Sequence, residues 1–158
     1  MRKVTFLFVC VLLLGACSSV ECPLNNAVFS VYALKGDVSS LTDTLTVSIT
    51  KQNAKDTVIL NKAIDKSSFK LPLSYAQEED VLTFSMTDTL NVTRTDIVKI
   101  KKTNHPHFES VDCGAVFFHT ITGVSYTRNA IDSIVISIPE VTYDTSKEHL
   151  HIYFKSRD

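Results

Sequence analysis

From Phe29 to Phe154, apolar residues recur at every second position, in short runs separated by polar clusters. Phe29, Val31 and Ala33 share one parity. Leu45, Val47 and Ile49 repeat the pattern, with Thr44, Thr46 and Ser48 opposite them. Val58 and Leu60 mark a short strand, and Phe69, Leu71 and Leu73 another, which Pro72 assigns to a sheet edge or a strand end. Leu82, Phe84 and Met86 alternate with Thr83, Ser85 and Thr87, and Val98 and Ile100 with Lys99 and Lys101. Val116 to Tyr126 is a long aromatic-rich run that Gly123 is expected to bulge or bend. Ile134, Ile136 and Ile138 oppose Ser133 and Ser137, and Leu150, Ile152 and Phe154 close the series. This period of two, rich in Val, Ile, Thr, Phe and Tyr, is the signature of half-buried strands. Only Tyr75 to Asp80 offers a helical turn.

Strands with one polar face bury the other most economically as two antiparallel sheets packed face to face. The expected fold is therefore all-β, an immunoglobulin-like or related antiparallel β-sandwich of about seven to nine strands. A closed lipocalin-like barrel is the alternative, since strands of this number and length can also close. The chain has no Trp, and no Cys–Trp–Cys arrangement, which argues against an antibody-type domain.

The N-terminus follows a different rule. Arg2 and Lys3 precede an apolar run from Thr5 to Leu14, and Leu14-Gly15-Ala16-Cys17 follows. That order reads as a secretory signal with a small-residue cleavage site, too short to span a bilayer as a mature helix. Its ending resembles the bacterial lipobox, in which cleavage falls before the cysteine. The sulfur then takes a diacylglyceryl group, and the new amine is acylated, typically with palmitate. An ordinary cleaved signal with an incidental cysteine is the competing reading. On the lipobox reading, residues 1–16 are the signal peptide, 17–24 a lipidated stem and 25–158 a single β domain. Three acyl chains on Cys17 exceed what stable anchoring needs.

Removing the signal takes Arg2 and Lys3 with it, leaving 14 basic against 17 acidic side chains and a formal charge of -3. That balance, with no basic run, gives no electrostatic basis for binding nucleic acid. The cysteines simplify in the same way. Cys10 leaves with the signal and Cys17 is lipidated, so Cys22 and Cys113 remain, and an exported domain most economically pairs them. The loop closed would be about 90 residues, worth roughly 4–5 kcal/mol in the chain-entropy account. Two buried free thiols are the alternative. No Cys-x-x-Cys supports redox catalysis.

Several blocks carry a family resemblance. They are Glu21-Cys22-Pro23-Leu24-Asn25-Asn26, Phe108-Glu109-Ser110-Val111-Asp112-Cys113-Gly114, the run from Val124 to Ile134, and Ile152-Tyr153-Phe154. Together they resemble a family of uncharacterised Bacteroidetes lipoproteins with a domain of unknown function. The resemblance implies an envelope lipoprotein with a small β domain. Both cysteine-bearing blocks belong to it, and it brings no catalytic residue.

Candidate chemistry is sparse. His105-Pro106-His107 and His149-Leu150-His151 each place two imidazoles on one side of a strand, so His149 and His151 are the weak candidates for a metal site. His119 joins them only if the fold brings it near. Without a placed third or fourth ligand, the expected reading of His149 and His151 is a solvated strand face and no metal. Glu78-Glu79-Asp80 reads as a solvated turn, since no calcium-loop spacing follows. No Gly-x-Ser-x-Gly elbow, protease cysteine motif or phosphate-cradling glycine loop is present, so no catalytic residue, enzyme activity or cofactor is expected.

Four segments repeat the order Asp, hydroxyl, aliphatic: Asp43-Thr44-Leu45, Asp56-Thr57-Val58, Asp88-Thr89-Leu90 and Asp132-Ser133-Ile134. They resemble the O-glycosylation sequon of Bacteroidetes exported proteins, with Thr44, Thr57, Thr89 and Ser133 as acceptors. The competing explanation is local: Asp ends a turn, the hydroxyl enters a strand and the aliphatic residue points inward. The functional expectation is a non-enzymatic interaction or assembly module. It is held by the N-terminal lipid on the periplasmic face of the outer membrane, with an envelope protein as partner. The alternative is a periplasmic carrier holding a lipid or small apolar ligand inside a barrel.

Overall fold

The computed structural model describes residues 28–50, 56–110 and 113–156. They form ten strands: β1 (Phe29–Leu34), β2 (Thr44–Ile49), β3 (Thr57–Ala63), β4 (Ser68–Pro72), β5 (Glu79–Thr87), β6 (Thr93–His107), β7 (Val116–Tyr126), β8 (Ile131–Ile136), β9 (Glu140–Val141) and β10 (Leu150–Phe154). One sheet has the order β4-β1-β10-β8 and the other β3-β2-β5-β6-β7-β9. The sheets remain separate, so the fold is an all-β sandwich and not the closed barrel. The two-residue β9 takes the count one beyond the expected nine. The described pairings are antiparallel except β1 with β10, where Tyr32 to Leu34 run parallel to Leu150 to Ile152. The residues from Tyr75 to Asp80 form no helical turn; Asp80 already lies in β5.

Alternation works as expected where a strand has one wet face. In β5, Asp80, Leu82, Phe84 and Met86 are buried and their neighbours are not; in β10, Leu150, Ile152 and Phe154 are buried. Pro72 ends β4, which lies at a sheet edge where its missing N–H costs no ladder bond. The centre of the core is aromatic. The Tyr32 ring stacks on Phe69 at 5.1 Å, and both tilt against Phe84 from the facing sheet at 6.0 and 6.2 Å. Each such side chain contributes about 1.5–3 kcal/mol of burial.

β1 corrects the expected parity. Tyr32 and Leu34 face the core, while Val31 and Ala33 are buried on the opposite side. Lys70, opposite Val31 in register, donates to Thr145 Oγ1 at 2.7 Å, and Lys35 pairs with Glu148 at 2.7 Å. The segment between β9 and β10 thus crosses that side of the sheet, so β1 has no wet face to alternate against.

The expected irregularity at Gly123 is present. Lys101 pairs with Gly123 but Lys102 with Ile121, leaving Thr122 as an extra residue in β7. The bulge lets Ile121 and Val124 both face inward although they are three residues apart. A second bulge, at Asp132, does the same for Ile131 and Ile134.

Candidate functional site: an aromatic end over a buried ion pair

Chain direction sorts the connections into two ends. At one end the chain enters at Val28, whose carbonyl accepts the Leu73 N–H at 3.1 Å. The β4–β5 connection, the β6–β7 connection and the segment bearing β9 lie at this end. The β5–β6 turn and the β7–β8 connection lie at the other.

The β6–β7 hairpin outruns its neighbour. β5 begins at Glu79, opposite Lys101, so residues 102–107 of β6 have no strand partner on that side. Residues 74–78 fill the gap. The Glu78 carbonyl accepts the Lys102 N–H at 2.8 Å, and Asn104 Nδ2 donates to the carbonyls of Tyr75 and Gln77 at 3.1 and 3.3 Å.

Beneath that segment lies an ion pair. Asp80 and Lys102 are 0% and 2% exposed, and Lys102 Nζ lies 2.9 Å from Asp80 Oδ2. Lys102 Nζ also donates to the Gln77 carbonyl at 2.9 Å; Asp80 accepts from Ser74 N–H and Gln77 Nε2 at 3.1 and 3.2 Å. Both charges are therefore paired and hydrogen-bonded, the condition under which buried charge is tolerated. Asp80 is not part of a solvated turn, as its place after Glu78-Glu79 suggested. It occupies the inward register of Leu82, Phe84 and Met86, and Lys102 that of Val98 and Ile100. Since Asp80 pairs with Ile100, Lys102 stands diagonally across from it. The parity of the two charged residues is the sequence signal that locates them.

His119 completes the network. It is buried, and its Nδ1 lies 2.8 Å from Asn104 Oδ1. Asn104 Nδ2 is committed to two carbonyls, so Oδ1 is the acceptor and His119 carries its proton on Nδ1. Burial, with the Lys102 charge adding to it, pushes its pKa down to about 4, so the ring is neutral at pH 7.

The 74–78 segment that this network holds carries the first of several rings at this end. Tyr75, 61% exposed, stacks on Phe117 at 5.1 Å. On the other side of the hairpin, His107 stacks on Phe118 at 4.3 Å and Tyr143 meets Phe118 edge-on at 5.1 Å. Phe108, the next residue along from His107, is 64% exposed. His105 Nε2 reaches Thr103 Oγ1 at 3.0 Å and His107 Nε2 reaches Glu109 Oε1 at 3.2 Å.

The structure separates the other candidates. His149 is fully buried rather than on a solvated face: its Nδ1 accepts the Val31 N–H at 2.9 Å, so its proton sits on Nε2, and burial lowers its pKa. His151 is partly exposed, with Nε2 2.9 Å from Glu148 Oε2. Among the described residues no group of three or more His, Cys, Asp or Glu is placed to hold a metal. Thr57 and Thr89 are exposed, whereas Thr44 and Ser133 are half-buried. Leu45 and Ile134 point inward as the local explanation requires, but Val58 and Leu90 are exposed. Cys113 is buried, while Cys17 and Cys22 lie outside the described residues.

A cleft of about 210 Å3 opens at the opposite end, between Leu41, Met86, Ala130 and Phe154, with Asp43 and Arg94 on its wall. A shallow polar depression of about 510 Å3 runs past Lys35, Asp37 and Asp132. Neither is the enclosed apolar chamber a carrier needs.

Residues 44–154 match a family of unknown function, DUF6452. No curated protein and no solved structure matches the chain.

Proposed function

The chain belongs to the DUF6452 family of unknown function, and from that premise we propose a non-enzymatic envelope lipoprotein that works through contact at its aromatic end. The observation that carries this reading is the exposed Tyr75 ring, stacked on Phe117 and carried by a segment hydrogen-bonded to a buried ion pair. Exposed aromatics are common at contact surfaces because they offer large area at low entropic cost. Holding them over a satisfied polar network reduces that cost further.

On this reading Cys17 carries the lipid, and the protein resides at the periplasmic face of the outer membrane, as in the Bacteroidetes lipoproteins it resembles. A partner there is an envelope protein or the membrane itself. Cys22 pairs with Cys113, a pairing that agrees with the burial of Cys113 and would tie the stem to the same end. Of the sequon hydroxyls, Thr57 and Thr89 are the accessible ones for a bulky glycan.

The test is the full chain expressed in an envelope-bearing host and fed an alkynyl fatty acid. Wild type is expected to incorporate label and sediment with outer membranes, and Cys17→Ala to do neither. Unlabelled wild type would overturn the lipoprotein reading.

A further inference from the structure

The occupant of the aromatic end can be argued from where the chain enters the domain. Val28 lies at that end, bonded to Leu73 two residues before Tyr75. Residues 5–14 are the one long apolar run outside the β domain, and Cys17 follows them. From Cys17 to Val28 is eleven residues, at most about 40 Å of extended chain. An anchor on Cys17 therefore joins the domain at this end.

The chemistry of the end suits a membrane interface. Tyr75 and Tyr143 each combine an apolar ring with a hydroxyl, and Phe108 and Phe117 add purely apolar area. Tyrosine at the level of lipid headgroups satisfies both its halves at once. The same end carries exposed Glu78, Glu109 and Asp144, with Lys147 3.7 Å from Asp144. That mixture lacks the basic cluster that anionic lipid would select. At the opposite end the exposed apolar side chains include Ile64, Leu90 and Val92, in the β3–β4 and β5–β6 connections.

We propose that the end formed by Tyr75, Phe108, Phe117 and Tyr143 rests on the lipid headgroup and acyl boundary, fixing the orientation of the sandwich on its anchor. The proposal names the partner of the contact surface and rests on the lipoprotein reading.

The chain has no Trp, so a single introduced indole reports without background. Full-length lipidated protein carrying Tyr75→Trp is reconstituted into phosphatidylcholine vesicles with and without brominated acyl chains, alongside Phe108→Trp and Leu90→Trp. Vesicle flotation reads the anchor; emission reads the contact. The indoles at 75 and 108 are expected to shift to shorter wavelength and lose intensity in brominated vesicles, and the one at 90 to do neither. Unchanged emission at 75 and 108 on floating protein would overturn the membrane contact while leaving the anchor intact, and would return the surface to a protein partner. Protein that fails to float would overturn the anchor and the contact together. Near-native circular dichroism of each variant guards against misfolding as the cause.

Discussion

Four donors converge on the carboxylate of Asp96, which is 1% exposed. Oδ1 accepts from Thr127 Oγ1 and Asn129 N–H, both at 2.7 Å; Oδ2 accepts from Ala130 and Ile131 N–H at 2.7 and 2.9 Å. One side chain thereby satisfies three consecutive backbone N–H groups at the β7–β8 connection. Burial opposes its charge, but the bonds from Asn129, Ile131, Thr127 and Ala130 outweigh burial and hold its pKa below the usual carboxylate range. Asp96→Asn turns a donor toward two of those four and is expected to cost about 2–4 kcal/mol in urea unfolding. The buried histidines act in a different pH window. His119 and His149 resist protonation in the fold, whereas the unfolded chain protonates near pH 6.5. Below about pH 6.5 the unfolded state takes up protons that the native state refuses. Stability therefore falls as pH drops toward 4, by up to about 1.4 kcal/mol per pH unit for His119, with His149 acting in the same direction. Asp96 adds its loss only below that window, since its folded pKa is depressed. Urea midpoints between pH 7.5 and 4.5 should show the first slope, and His119→Gln should flatten it; a pH-independent midpoint would contradict the lowered pKa values of the buried rings.

At the scale of elements, the β6–β7 hairpin is the part that departs most from a plain ladder. Its overhang past β5 creates the gap that residues 74–78 fill, and the Asp80–Lys102 pair closes that gap from below. Lys102→Ala leaves Asp80 buried with no countercharge, at an expected cost of about 3–5 kcal/mol. Replacing both, as Asp80→Leu with Lys102→Met, should recover much of that loss, because two apolar side chains leave no unpaired charge. Near-additive losses in the double-mutant cycle would mean that the two residues act independently. The strands themselves were legible because β5 and β10 each have one wet face, which imprints a period of two. β1 was legible as a strand but its core-facing parity was not, since the 142–148 segment dries its second face and erases the contrast on which parity depends. Lys102, Asp80 and Asp96 sit at inward parity, but charge at such a position looks like the end of a strand until its partner is known. His149 misled for the same reason. It shares parity with His151 but precedes β10, where it turns in to cap Val31.

The whole molecule is a sandwich with unlike ends. One end joins its strands through short turns, such as the one in which Asp88 Oδ1 accepts the N–H groups of Leu90 and Val92. The other receives the chain at Val28 and displays rings, of which Tyr75 sits on a segment bonded to the buried network. No period of two could have announced that surface, since Tyr75, Phe108 and Tyr143 lie in three separate connections that only the fold brings to one end. The central claim is that this end is the surface of contact. Hydrogen exchange of the full-length protein, compared between native outer membranes and detergent extract, tests it most directly. The account predicts added protection in membranes at residues 75–78 and 105–109, with the 88–92 turn unchanged. Protection at the 88–92 turn instead, or equal exchange at both ends, would contradict it.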